Sequence, residues 1–216
     1  DLINWASING NLNVIKYFDE NSQIEYKYME IFHNAAKNGH LEKVKYLKNR
    51  GVNIHDKDDY ALRITTENGH LEVVKYLIEN GANINARDDN SIQNAAKNGH
   101  LKVVKYLIEN GANIHANVFG DESIIFAAEN GHLEVIKCLI ENGADIHTDD
   151  DLIIICASEN GHLEVVKYLI ENGVDINAKS CGNEVITIAS EKGHLEVVKY
   201  LIKNGANIHA NNDEAL

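Results

Sequence analysis

The stretch NGHLEVVKYLIENGANI (68–84) returns as NGHLKVVKYLIENGANI (98–114) and as NGHLEVVKYLIENGVDI (160–176). A chain that repeats seventeen residues this closely asks each copy to make the contacts of the last, which restricts it to repeat architectures. With the glycine of the Gly-His pair as a marker, the copies fall at Gly39, Gly69, Gly99, Gly131, Gly161 and Gly193, and Gly10-Asn11 is a degenerate first member. The steps are 29, 30, 30, 32, 30 and 32 residues. A period this regular signals a stack of supersecondary units.

Each unit reads as two short helices. In LEVVKYLIEN (71–80), Leu71, Val74, Leu77 and Ile78 recur at three- and four-residue steps, which predicts one apolar helix face. Glu72 and Lys75 are spaced to pair on the wet side, and Gly81 follows as a left-handed stop. The preceding helix is shorter. In DNSIQNAAKNG (89–99), Ile92 and Ala95-Ala96 form a small apolar face, and Asn98-Gly99 reverses the chain before Leu101. Between the pairs, NARDDNS (85–91) predicts a tight turn or projecting finger, because Asp and Asn side chains bond nearby backbone amides. Proline is absent, so these turns depend on Asn, Asp and Gly. One such pair cannot bury its own apolar face, whereas stacked pairs share a continuous core. The predicted fold class is all-α: a repeat solenoid of stacked helix-turn-helix units. It is expected as a single domain over residues 1–216, about seven repeats plus the start of an eighth in NNDEAL (211–216). Beginning at Asp1 rather than Met, the chain reads as part of a longer protein.

These residues resemble the ankyrin repeat. Ala95-Ala96, Gly99-His100, Val103-Val104, Leu107-Ile108 and Gly111-Ala112 fall where that family places its framework residues, and the resemblance runs through nearly the whole chain. There are two departures. The period is shorter than the usual value of about 33, with the missing residues in the connection before the first helix. The T-P-L-H opening is replaced by YALR (60–63), NSIQ (90–93), ESII (122–125), LIII (152–155) and EVIT (184–187), which keep only its apolar residue, as Leu62, Ile92, Ile124, Ile154 and Ile186. Short fingers or β-turn loops are therefore expected in place of full β-hairpins. The proline-free GHLEVVKYL style, rich in Asn, Ile and Lys, is similar to the ankyrin families of giant DNA viruses that infect amoebae. The resemblance implies a protein-protein interaction module that grips its partner with finger tips and the concave face of its first helices.

Charge and composition narrow the partners. The chain carries 33 acidic and 20 basic residues, a net charge of −13. No basic stripe is visible, so nucleic acid is not an expected partner; a protein with a basic surface is. The longest apolar run, Leu152–Ala157, falls far short of the roughly 20 residues that span a bilayer, so no membrane partner is expected. Three cysteines, an odd number without CxxC, suit a reduced, intracellular and cytoplasmic setting, the host cytoplasm if the chain is viral.

The candidate sites follow from what varies. The Gly-His histidines (His40, His70, His100, His132, His162, His194) stand one repeat apart, too far to converge on one ion at about 2.0–2.3 Å. They read as structural residues at the start of the second helix. His55, His115, His147 and His209 alternate with Asn85 and Asn177 in the turns, which favours a turn role. HLEVV is not HExxH, and no phosphate loop or nucleophile elbow is present. No metal, cofactor or catalytic residue is therefore expected. Cys156, at the position also filled by Trp5, Ile64, Phe126 and Ile188, reads as core; Cys138 reads as a packing residue and Cys181 as an exposed thiol.

The second helix barely changes between copies, while the fingers do: KDDY, RDDN, NVFGDE, TDDD, KSCGNE, NNDE. Variable, projecting positions are where a repeat protein carries individual information. The expected partner-binding residues are Tyr60, Arg87, Asp88, Asp89, Val118, Phe119, Asp149, Asp150 and Cys181. In this reading Tyr60 and Phe119 are aromatic anchors, and Arg87, Asp88 and Asp89 form a polar rim. The alternative is a structural spacer that self-associates end to end through Leu195, Val198 and Leu201; an enzyme ranks third.

Overall fold

The structure is a computed structural model, and it describes residues 5–6, 8–9, 11–22, 27–115, 121–180 and 183–208. The chain divides into two contact units. Unit one comprises residues 1–95 with 102–112, and unit two comprises 96–101 with 113–216.

Unit one contains α1 (Leu12–Ser22), then the pairs α2 (Tyr28–Lys37) with α3 (Leu41–Asn49) and α4 (Asp56–Glu67) with α5 (Leu71–Glu79). It also holds most of α6 (Ala86–Lys97) and α7 (Leu101–Glu109). Unit two contains α8 (Glu122–Glu129) with α9 (Leu133–Glu141) and α10 (Thr148–Glu159) with α11 (Leu163–Glu171). A two-residue hairpin, β1 (Lys179–Ser180) with β2 (Asn183–Glu184), leads into α12 (Val185–Glu191) and α13 (Leu195–Lys203).

Both helices of a repeat end the same way. Gly81 has φ +96°; its N–H donates to the Ile78 carbonyl at 2.9 Å, and the Ala82 N–H donates to Leu77 at 3.0 Å. Gly39 has φ +72°, with N–H bonds from Gly39 to Ala36 at 3.1 Å and from His40 to Ala35 at 2.9 Å. This double closure satisfies carbonyls that a helix end leaves unpaired, and it needs a left-handed residue at the glycine. His40 then opens the next helix, its carbonyl accepting the Val44 N–H at 3.1 Å. The Asn-Gly-His triplet thus ends one helix and starts the antiparallel one within three residues.

Packing follows the repeat. First helices lie against first helices (α2 on α4, and α8, α10 and α12 in series), and second against second (α3 on α5, α11 on α13). Ala35, Ala36, Ala95, Ala96, Ala127 and Ala128 are fully buried, so small residues sit where helices approach most closely. Val73, Val74 and Leu77, with their counterparts Val103, Val104 and Leu107, fill the second-helix side. One position breaks the pattern. Lys43 replaces the valine of the other repeats, is 1% exposed, and donates from Nζ to the Ala6 carbonyl at 2.9 Å.

The fingers are short, as expected from the missing residues. Lys57, Asp58 and Asp59 have φ of 51°, 56° and 55°, and Asp149, Asp150 and Asp151 have φ of 52°, 52° and 62°. Three successive left-handed residues make a compact turn. The conformation costs an ordinary L-residue about 1–2 kcal/mol, and Asp is one of the few that visits it readily.

Candidate functional site

The Gly-His histidines are joints between repeats. The imidazole of His70 donates from Nε2 to the Lys37 carbonyl at 2.9 Å. His132 does the same to Lys97 at 3.0 Å, His162 to Glu129 at 2.9 Å and His194 to Glu159 at 2.8 Å. Each ring also lies over the glycine of the preceding repeat: a Cβ built on Gly39 or Gly99 would stand 2.6 Å from the Nδ1 of His70 or His132. The rings are committed to packing and to one carbonyl each.

The finger acids divide into two groups. The first group locks the turns. His55 Nδ1 meets Asp59 Oδ1 at 2.9 Å, His115 meets Asp121 at 3.0 Å, and His147 meets Asp151 at 2.7 Å. The second carboxylate oxygen of Asp121 accepts the Asp145 N–H at 2.7 Å, and the Asp121 N–H donates to Thr148 Oγ1 at 2.9 Å. These bonds tie one finger to the next. Asp89, expected on an exposed rim, is 5% exposed like Asp59 and Asp121 and belongs to this locking group by position. The second group faces water: Asp58, Asp149 and Asp150 are exposed.

Unit one places Tyr60 at the edge of an open groove. The groove has a volume of about 610 Å³ and is lined by Met29, Glu30, His33, Asn34, Lys57 and Tyr60. The Tyr60 ring stands edge-on to His33, centroids 4.9 Å apart, and the Arg63 guanidinium lies 5.5 Å from its centroid. Burial holds His33 below the ordinary histidine range; Asp56, 3.5 Å away, pulls it back up and Lys57 pushes it down. Arg87 is exposed and binds Asp58 through Nε at 3.0 Å. The side chain of Asp88 lies outside the described part of the structure.

In unit two Asp149 and Asp150 project into solvent, whereas Val118, Phe119 and Cys181 lie outside the described residues. A second, smaller groove of about 210 Å³ lies on the first helices of this unit, lined by Glu122, Ile125, Phe126, Asp149 and Leu152. Sequence reasoning missed it by assigning Phe126 and Cys156 to the core. Ile64 and Ile188 at that position are buried, but Phe126 and Cys156 are only half-buried and Trp5 is 60% exposed. The available signal was Leu152–Cys156, apolar on every side of a helix that should carry one polar face. Burial, with Glu129, Glu159 and Asp149 nearby, pushes the Cys156 thiol up to about 11. Cys138 is buried, as expected for a packing residue.

Helix pairs closed by glycine, joined by histidine and linked by short fingers define a helix-turn-helix repeat solenoid. Three copies of the ankyrin-repeats family model match residues 3–88, 88–150 and 124–212, so the chain belongs to the ankyrin repeat family. It is similar to the crystal structure of the human ASB11 ankyrin repeat domain, with a TM-score of 0.75 and 25% identity over 85% of this chain and 95% of that one. It is also similar to an ankyrin repeat protein of Acanthamoeba polyphaga mimivirus, 39% identical over 63 residues. That match covers 29% of this chain and 22% of the viral protein's length. Among the described residues no helix is long and apolar enough to cross a membrane.

Proposed function

We propose that this chain binds another protein through its finger tips and the exposed face of its first helices, inside the cell and in the cytoplasm. Ankyrin repeats are generally protein-protein interaction modules, and the family fold is a non-catalytic one. The observation that supports the finer reading is the groove of unit one, where the half-buried Tyr60 lies beside His33, Asn34 and Lys57. An aromatic ring held by its neighbours binds at low entropic cost. The net charge of −13 favours a partner with a basic surface over nucleic acid. In unit two the corresponding finger residues are Val118, Phe119, Asp149, Asp150 and Cys181. The test is affinity capture followed by titration of the captured protein. Tyr60→Ala and Phe119→Ala should each weaken binding about thirtyfold with an unchanged melting temperature. Unchanged affinity with a lowered melting temperature would show that these residues serve packing instead.

A second reading is end-to-end self-association. Leu195 is 60% and Ile202 50% exposed at one end of the sequence, and Trp5, Ile8 and Tyr17 are 60%, 48% and 63% exposed at the other. Leu201, expected on that apolar end face, is fully buried, and Ile202 takes its place. A strict monomer by light scattering at high concentration would remove this reading.

A further inference from the structure

We propose that the groove on α8 and α10 of unit two is a docking site for a protein segment bearing one large apolar side chain flanked by Lys or Arg. The proposal rests on the interaction reading above and specifies a separate site with its own chemistry. The first helices of the two units present different residues at the same repeat positions. In unit one these are Glu30, His33, Asn34, Tyr60, Arg63, Asn90, Gln93 and Asn94, polar apart from the tyrosine ring, together with Ile64, which is buried in the core. In unit two Ile125, Phe126, Leu152 and Cys156 stand at these positions half-buried, and the remaining ones are Glu122 and the buried Ile155, Glu184, Thr187 and Ile188. Their helical neighbours Ile124, Ile153 and Ile154 are fully buried in the repeat core. The core face of α10 is thus already supplied, and Leu152 and Cys156 form an additional apolar face. Contiguous exposed apolar surface of this kind marks interaction sites.

Size and charge select the occupant. A groove of about 210 Å³ is below the roughly 300–1,000 Å³ of a small-molecule site; it suits a single anchoring side chain. Its rim is acidic. Glu122 and Asp149 line it, and the field of Asp149, Glu129 and Glu159 is what reinforces the raised Cys156 thiol. Lys97 stands 5.6 Å from the Phe126 ring centroid, so that ring already has a cation of this chain beside it and the call for a basic partner comes from the carboxylates of Glu122 and Asp149. Nucleic acid and acidic peptides meet repulsion here, and a neutral apolar segment leaves the rim carboxylates unanswered. A basic segment with an apolar anchor satisfies both features.

The experiment titrates the full chain with labelled peptides carrying a central Phe or Leu between pairs of Lys or Arg. Matched peptides with Glu flanks, or with central Ala, serve as controls. The expected result is a preference of tenfold or more for the basic, apolar-centred peptides, weakening as salt is raised. Leu152→Gln should lose at least about tenfold in affinity. Because that residue is half-buried, a second variant, Asp149→Asn with Glu122→Gln, removes only rim charge and should flatten the salt dependence. Equal binding of Glu-flanked peptides, or unchanged affinity in both variants, would overturn the proposal. Tyr60→Ala should leave peptide binding intact. A captured protein partner lost with Tyr60→Ala and retained with Leu152→Gln would sink this inference while leaving the interaction reading standing.

Discussion

The imidazole of His70 covers Gly39 so closely that a methyl group on that glycine would come within 2.6 Å of the ring. The same ring donates from Nε2 to the Lys37 carbonyl at 2.9 Å. One histidine therefore fixes both the distance and the register of the preceding repeat, and the glycine is required twice: for its φ of +72° and for the space above it.

Gly39→Ala should consequently cost more than the about 1–2 kcal/mol of the left-handed conformation alone. Gly51→Ala, at φ +89° with open space around it, should cost only that conformational part. Urea unfolding of the two variants measures the difference. In a His70→Ala background the difference should shrink, because the clash is gone.

Lys43 makes stability depend on alkaline pH. Burial lowers it to about 8 from 10.5. Between those values the unfolded chain holds the proton that the folded chain has lost, so this residue makes stability rise with pH from about 8 to 10.5. Below that window the buried charge costs roughly 3 kcal/mol; above it the cost is gone. Subtracting the unfolding free energies of Lys43→Met from those of the natural chain, at pH about 7.5 and 10, should reveal the rise. A flat difference would show that the ammonium is better solvated than its burial implies.

His132 acts at the acidic side. Burial lowers it below 6.5, with His162 and His100 adding to the effect and the Lys97 carbonyl opposing it. The unfolded chain therefore takes up this proton first, and the contribution is lost as pH falls below about 6.5. His132→Gln can still donate to the carbonyl, and its melting temperature should fall less between pH 7 and pH 5 than that of the natural chain.

Asp121 connects two fingers through His115 and the Asp145 amide. Asp121→Ala leaves both donors without this acceptor and should destabilise by about 1–3 kcal/mol. Asp150→Ala, in the exposed tip, should stay within about 0.5 kcal/mol apart from its backbone preference. Chemical denaturation of the pair separates locking acids from solvent-facing ones.

The sequence by itself determined the period, the two helices of each repeat and the glycine stops. These depend on contacts within a few residues, and Leu71, Val74, Leu77 and Gly81 declare them directly. It also read the Gly-His histidines as structural residues at the start of the second helix. Tertiary structure decided the rest. Asp89 and Asp149 look alike in RDDN and TDDD, yet Asp89 stands at the repeat position of Asp59 and Asp121 and is buried with them, while Asp149 stands at that of Lys57 and Arg87 and is exposed. Ile64 and Phe126 share a repeat position, yet one is core and the other lines a groove. A residue's own letters set its apolarity; its neighbours across the stack set whether that apolarity is already covered.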